Sequence, residues 1–237
     1  MLKVEIDKIG IYRNNSVETI LSNCLMEIMP GKVYILTGTN GSGKSTFAFA
    51  ITGLLNKNTH FTEGSVLFNG IDMLNCPLET MQKIRKTEIK YVFQDPVNAF
   101  NPLKKFDYYF TLTDAGLKEI ENLLDFFLLP PYNKIRGLYP YEVSVGMAQR
   151  ISIILALLVK PKLIVMDEPN SALDLTSSNL LMQIVKEYKN SSASFLIITQ
   201  DILFAQKTGD EFFIVENKTV SPFLKDESLL VFPEKIS

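Results

Sequence analysis

Gly38-Thr39-Asn40-Gly41-Ser42-Gly43-Lys44-Ser45 fits the spacing G-x-x-x-x-G-K-[ST], with Thr46 directly after it. Residue types at this spacing suit a phosphate chain. The glycines let successive backbone N–H groups turn inward as an anion nest. A helix beginning here adds its positive N-terminal end. Lys44 can reach β- and γ-phosphates, and the Ser45 hydroxyl is a Mg2+ ligand. A second chemical segment is Leu163-Ile164-Val165-Met166-Asp167-Glu168, four apolar residues and then two acids. A buried strand that ends in carboxylates presents them at the sheet edge where ligands of α/β folds bind. Asp167 is expected to hold Mg2+, directly or through water. Glu168 is expected to polarise the water that attacks a γ-phosphate.

These groups need a frame. Loose alternation predicts strands over 4–11 and 18–28, joined by a turn at 14–16 and ended by Pro30-Gly31. This opening reads as antiparallel β structure. A short apolar strand over 32–37 then runs into the glycine loop, and a helix over 44–55 leaves it. Further on come a strand over 64–70, a helix over 77–86 opened by proline, and a strand over 89–93. Residues 95–143 carry five prolines (Pro96, Pro102, Pro130, Pro131 and Pro140) and one helical stretch over 114–129. They read as a helical insert. Alternation then resumes: helix 144–159, strand 162–166, helix 175–188, strand 194–199, a short helix, and strands over 211–215 and 218–221. Strands alternating with helices predict a parallel sheet covered on its faces. The expected fold is α/β: a P-loop NTPase core with a RecA-like mixed sheet, an N-terminal antiparallel β subdomain and the insert. The whole of 1–237 is read as one domain, with 222–237 as a tail.

Composition narrows the function. The 237 residues are 46% apolar and 21% charged, which is globular composition. Lys plus Arg is 24 and Asp plus Glu is 26, a formal charge of −2. A near-neutral chain has no overall field for wrapping nucleic acid, and no nucleic-acid partner is expected. Cys24 and Cys76 have neither metal-ligand spacing nor a framework of pairs, as expected for a reduced setting. The single histidine, His60, stands alone in a polar loop, against a His-based metal site or a Ser-His-Asp triad. The N-terminus lacks a signal-peptide stretch. The most apolar run, 151–166, is broken by Lys160, Pro161 and Lys162, so no membrane span is expected.

Four more segments refine the reading. Val92-Phe93-Gln94-Asp95-Pro96 ends a strand at the start of the insert. Glu142-Val143-Ser144-Val145-Gly146-Met147-Ala148-Gln149-Arg150 opens a helix. Pro169-Asn170-Ser171-Ala172-Leu173-Asp174 follows the two acids, and Ile197-Ile198-Thr199-Gln200-Asp201 ends the next strand. In this order, over nearly the whole chain, they resemble the ATP-binding subunit of ATP-binding-cassette (ABC) transporters. The resemblance implies ATP and Mg2+ as ligands and hydrolysis of the ATP. It implies that Gln94 senses nucleotide, contributes to the Mg2+ site and links core to insert. The insert would receive a coupling helix from a membrane subunit. Ser144, Val145, Gly146 and Met147 would form the signature loop, which reaches the γ-phosphate held by a second subunit. Asp174 would lie on the loop crossing the dimer interface. Tyr12 is the candidate for stacking on adenine, beside the plainer reading of a half-buried strand aromatic. Gln200 would sit where the family has a catalytic histidine. The run 93–102 and Gly146–Arg150 further resemble importers of peptides, nickel and metal–chelator complexes. Many of these carry a longer C-terminal region, which is expected to be missing here.

Two departures stand out. The signature usually reads Leu-Ser-Gly-Gly; here valine occupies 145, where glycine would permit positive φ and close backbone approach. Gln200 can donate a hydrogen bond to phosphate but cannot carry charge. In a head-to-tail dimer the two defects fall in different composite sites. A second, different ATP-binding subunit could place each opposite intact residues, so a heterodimer is expected. The implied assembly adds two integral-membrane permeases and, indirectly, an extracellular solute-binding protein. It sits at the cytoplasmic face of the cell membrane, where this chain is peripheral. Two other classes remain: a soluble ABC ATPase of the repair, translation or iron–sulfur type, and a weakly hydrolysing subunit that completes a partner's ATP site.

Overall fold

The structure, a computed structural model, describes residues 1–13 and 16–223. Residues 14 and 15 of the expected turn, and the tail beyond 223, lie outside the described residues. The chain opens with β1 (Leu2–Arg13) and β2 (Ser16–Ile28), paired antiparallel. Next come β3 (Val33–Thr37), α1 (Lys44–Ile51), β4 (His60–Phe68) and the two-residue β5 (Ile71–Asp72). Then follow α2 (Leu78–Thr87) and β6 (Ile89–Val92). Residues 95–143 hold α3 (Phe106–Thr111), α4 (Leu117–Phe126), α5 (Tyr132–Ile135) and a 3-10 turn at Pro140–Glu142. The chain continues through α6 (Val145–Leu158), β7 (Leu163–Asp167), α7 (Leu175–Asn190) and β8 (Ser194–Ile198). The described part closes with α8 (Ile202–Thr208), β9 (Glu211–Glu216) and β10 (Thr219–Pro222).

Two sheets result. One is antiparallel in the order β2-β1-β4-β5, and the other runs β10-β9-β3-β8-β7-β6. In the second, β6, β7, β8, β3 and β9 are parallel and β10 is antiparallel at the edge. Every residue of β3, β7 and β8 is buried. That is why their apolar runs are unbroken: each face of the sheet meets a different core. Leu163 and Val165 pack with the antiparallel sheet and α1. Ile164 and Met166 pack with α6, α7 and the insert. The period-2 alternation of a strand thus feeds two cores from one five-residue segment.

Local differences from expectation have local causes. β4 starts at His60 because Gly64, which reads as a boundary, pairs within the strand opposite a bulge of β1 between Ile6 and Lys8. The φ of Gly64 is 114°, and a Cβ there would lie 2.2 Å from the Glu5 carbonyl oxygen, so only glycine permits that approach. α1 ends at Ile51, closed by Gly53 at φ 67°. The helix expected over 114–129 shortens to Leu117–Phe126 between Asp114 and Leu128, both at positive φ. Its predicted apolar face holds: Ile120, Leu123, Leu124 and Phe127 are buried, and Leu117 alone is exposed. α3 is legible only afterwards, as Phe106 and Phe110 four apart on a buried face. Most aromatics of the insert are therefore core, and Tyr108 and Tyr141 are the exposed exceptions.

Candidate functional site

A cleft of about 880 Å³ opens at the carboxyl edge of the parallel strands. Gly38 to Thr46, Gln94, Asp167 and Glu168 all line it. β3 delivers the glycine loop, β6 delivers Gln94, β7 delivers the two acids, and β8 delivers Gln200 just beyond its end. The topology alone converges them, because parallel neighbours end on the same side.

The loop is shaped by its glycines. Gly38, Gly41 and Gly43 have φ of 144°, 76° and 105°. A Cβ on Gly38 would lie 2.5 Å from the Val215 carbonyl oxygen. Gly43 caps α1 with no side-chain hydrogen bond, so the first N–H groups of the helix face the cleft without a side-chain acceptor. The Ser42 hydroxyl is buried without a partner.

Lys44 is buried, and its ammonium donates to the carbonyls of Gly38 and Thr39, both at 2.9 Å. Burial lowers its pKa, although Glu168 and Asp167 oppose that. The two acids therefore leave the ammonium under-compensated, which a polyphosphate would correct. These features fit a nucleoside triphosphate. Among the described residues no group of three or more His, Cys, Asp or Glu could hold a metal. The donors that line the cleft are a hydroxyl, a carboxylate and an amide (Ser45, Asp167, Gln94). That set suits Mg2+ arriving on phosphates rather than a cage made by protein alone.

Asp167 ends β7 almost fully buried, and the Tyr91 hydroxyl donates to its Oδ2 at 3.0 Å. Glu168 then turns with φ 46°, its N–H donating to the Ile198 carbonyl at 2.9 Å. A left-handed non-glycine residue costs about 1–2 kcal/mol. The turn swings the carboxylate out of the sheet and into the cleft. Burial raises the Glu168 pKa, opposed by the Gln200 N–H and the Lys44 charge. That makes the carboxylate more basic than an ordinary one, the direction a general base needs. Gln200 reaches across: its Nε2 donates to Asn40 Oδ1 at 2.6 Å and to the Gly38 carbonyl at 3.2 Å. Asn170 ties the loops after β7 and β8 together through Thr199 at 3.2 Å and Asp201 at 2.9 Å.

The remaining expected residues lie elsewhere. Ser144 caps α6, its hydroxyl accepting from the Met147 N–H at 3.2 Å. Asp174 caps α7, accepting from the Ser177 N–H at 2.7 Å, which holds its pKa below the usual value. A Cβ on Gly146 would lie 2.9 Å from the Ala172 carbonyl oxygen, so the signature turn and the 169–174 loop share one face. Neither lines the cleft. Val145 is the first helical residue of α6 and 53% exposed. Its backbone is helical, so a glycine is not required there for positive φ; the change lies in the isopropyl group it projects. Tyr12 is exposed on β1 with its ring 5.4 Å from that of Phe61, and it does not line the cleft.

The family model for ABC transporters matches residues 21–171, well over half the chain. The chain belongs to the ABC transporter ATP-binding family. Among relatives of the cassette is the oligopeptide transport ATP-binding protein OppD of Haemophilus influenzae. It is 34% identical over 198 residues, 79% of this chain and 61% of the relative. The metal-staphylopine import system ATP-binding protein CntD of Staphylococcus aureus is 31% identical over 229 residues, 92% of this chain and 84% of the relative. A solved ATP-binding subunit of an ABC transporter matches with TM-score 0.79 at 25% identity, covering 96% of this chain and 91% of that one. The cassette thus spans only 61% of the length of the Haemophilus protein.

Two stretches of the cleft were missed from sequence. Glu18 to Ile20 of β2 and Ile214 to Lys218 of the β9–β10 turn also line it. Lys218 Nζ donates to the Thr19 carbonyl at 3.1 Å. Asn217-Lys218 between two strand runs was a legible hairpin turn. Its place beside the glycine loop follows only from β9 pairing with β3, Ile214 against Thr37.

Proposed function

We propose that the cassette is the ATP-binding and ATP-hydrolysing subunit of an importer. The solute class is peptide, nickel or a metal–chelator complex, and the solute passes through two partner permeases. The observation that carries this is the cleft, where one sheet edge gathers Lys44, Asp167, Glu168, Gln94 and the glycine loop. Similarity to an oligopeptide transport protein and a metal-staphylopine import protein supports the solute class. Among the described residues no helix is long and apolar enough to cross a membrane. The proposed location is peripheral, on the cytoplasmic face.

In this reading the loop N–H groups and the α1 terminus bind the phosphates, and Lys44 neutralises charge on the β- and γ-groups. Ser45, Asp167 and Gln94 would hold Mg2+, which neutralises charge on the phosphates when bound. Glu168 accepts a proton from the attacking water. Gln200 donates to the γ-phosphate once it leaves Asn40. Tyr12 is retained as the proposed adenine contact; a fluorescent ATP analogue should lose affinity for Tyr12→Ala if it is. Ser144 and Gly146 lie away from this cleft, so the γ-phosphate partner of the signature turn must be carried by a second subunit. We place Val145 and Gln200 in different composite sites of a heterodimer, with Asp174 at the interface.

The test is ATP turnover by the chain recovered with its partners from native membranes. Glu168→Gln is expected to lower the rate about 100-fold or more while leaving ATP bound. One observation favours a second reading, a weakly hydrolysing subunit: Gln200 is already engaged by Asn40. An unchanged rate in Glu168→Gln would select it.

A further inference from the structure

The cleft has one wall that the phosphate chemistry does not use. β3, which delivers the glycine loop, has β8, β7 and β6 on one side and β9 and β10 on the other. Gln94, Asp167, Glu168 and Gln200 all come from the first side, which is where the proposed reading puts the γ-phosphate. A triphosphate held by the glycine loop then extends its nucleoside toward the other side. There Glu18 to Ile20 and Ile214 to Lys218 line the cleft.

Two backbone devices shape this wall. β2 carries an extra residue at Ile20, because Ile9 pairs with Leu21 and Gly10 with Thr19; bulges re-aim the side chains around them. The β9–β10 turn has two residues, Asn217 and Lys218, with φ of 49° and 63°. Glycine is the favoured residue at the second position of such a turn, so lysine is held there against its backbone preference. The Lys218 carbonyl accepts from the Ser22 N–H at 2.7 Å, which ties the turn to β2. The Lys218 ammonium donates to the Thr19 carbonyl at 3.1 Å and has no ion pair among the described residues. One residue away, the Glu18 carboxylate is held by Arg13 at 2.8 Å. Glu216 lines the cleft too, but among the described residues no side chain holds its carboxylate. Glu18 and Lys218 thus share the wall as opposite charges that do not pair with each other.

We infer that Glu18 and Lys218 read the edge of the purine: Glu18 accepts from the 6-amino group of adenine, and Lys218 donates to N1. A carboxylate only accepts and an ammonium only donates. Adenine presents a donor beside an acceptor on this edge. Guanine and hypoxanthine present an acceptor, O6, beside a donor, N1–H. The reversed order leaves both charges facing groups they cannot bond, which is how a site excludes a near-isostere. Base selectivity of this kind rests on the ATP-binding reading and adds to it the residues that reject other purines.

The experiment is competition by MgATP and MgITP against a fluorescent ATP analogue on the isolated chain. ITP differs from ATP only at the edge in question. ATP is expected to bind at least about tenfold more tightly than ITP. 1-Deaza-ATP, which lacks N1 alone, should bind more weakly than ATP to the parent chain and equally well to Lys218→Met. In Glu18→Gln the amide can turn to donate to O6, so ATP and ITP should come within about threefold of each other. Lys83→Met, exposed and away from the cleft, should keep the full preference. Equal binding of ATP and ITP by the parent chain would overturn the inference. So would Glu18 and Lys218 variants that weaken both nucleotides alike, the mark of side chains that only brace β2. A chain that binds neither nucleotide would sink the ATP reading itself, so the two failures are distinguishable.

Discussion

The nucleotide cleft and the signature face are built to different degrees of completeness. In the cleft Lys44, Gln94, Asp167 and Glu168 have been brought to one place by β3, β6 and β7 of one sheet. Lys44 is held by two carbonyls, Asp167 by Tyr91, and the loops after β7 and β8 by Asn170. On the signature face Ser144 only caps its own helix, and Val145 projects into solvent. The first region is organised within the chain; the second presents Val145 outward with nothing among the described residues to cover it. The difference supports the proposal that the second region is half of a composite site.

That contrast can be broken most sharply at Lys44. Lys44→Ala should lower ATP affinity at least about 100-fold, or about 2.8 kcal/mol, in a titration with a fluorescent ATP analogue. Retention within about threefold would mean the cleft is not the binding site. Next in size is Tyr91→Phe, which leaves a buried carboxylate oxygen one donor short. Urea unfolding should show a loss of about 1.5–3 kcal/mol; an unmoved midpoint would show that the hydroxyl does not support Asp167. Val145→Gly probes the other region. Turnover of the assembled complex should rise about tenfold, or about 1.4 kcal/mol in the barrier, while the isolated chain loses only about 0.3 kcal/mol of stability, the difference between valine and glycine in a helix. A rise in the isolated chain as well would place Val145 in its own site rather than a partner's. The smallest effect belongs to Ser144→Ala. Loss of the cap should cost about 1 kcal/mol of stability and leave ATP affinity of the isolated chain unchanged; altered affinity would erase the distinction between the regions.

Much of this was readable in advance. The glycine loop, the two acids and the alternation of strand and helix are local patterns, set by backbone freedom, period and charge over a few residues. They determined the α/β class, the phosphate site and the roles proposed for Lys44 and Glu168. Local signals misled where a residue served a distant contact. Gly64 looked like a strand end but permits β4 to approach Glu5.

What only the tertiary structure decided is which distant segments meet. The β9–β10 turn and β2 wall the cleft because β9 pairs with β3. Gln200 touches Asn40 because β8 and β3 are parallel neighbours. Each depends on strand order across more than a hundred residues of chain, and strand order is settled by the burial of whole faces. Local residue types encode the chemistry of this protein; its packing determines which of them line the cleft and which face outward.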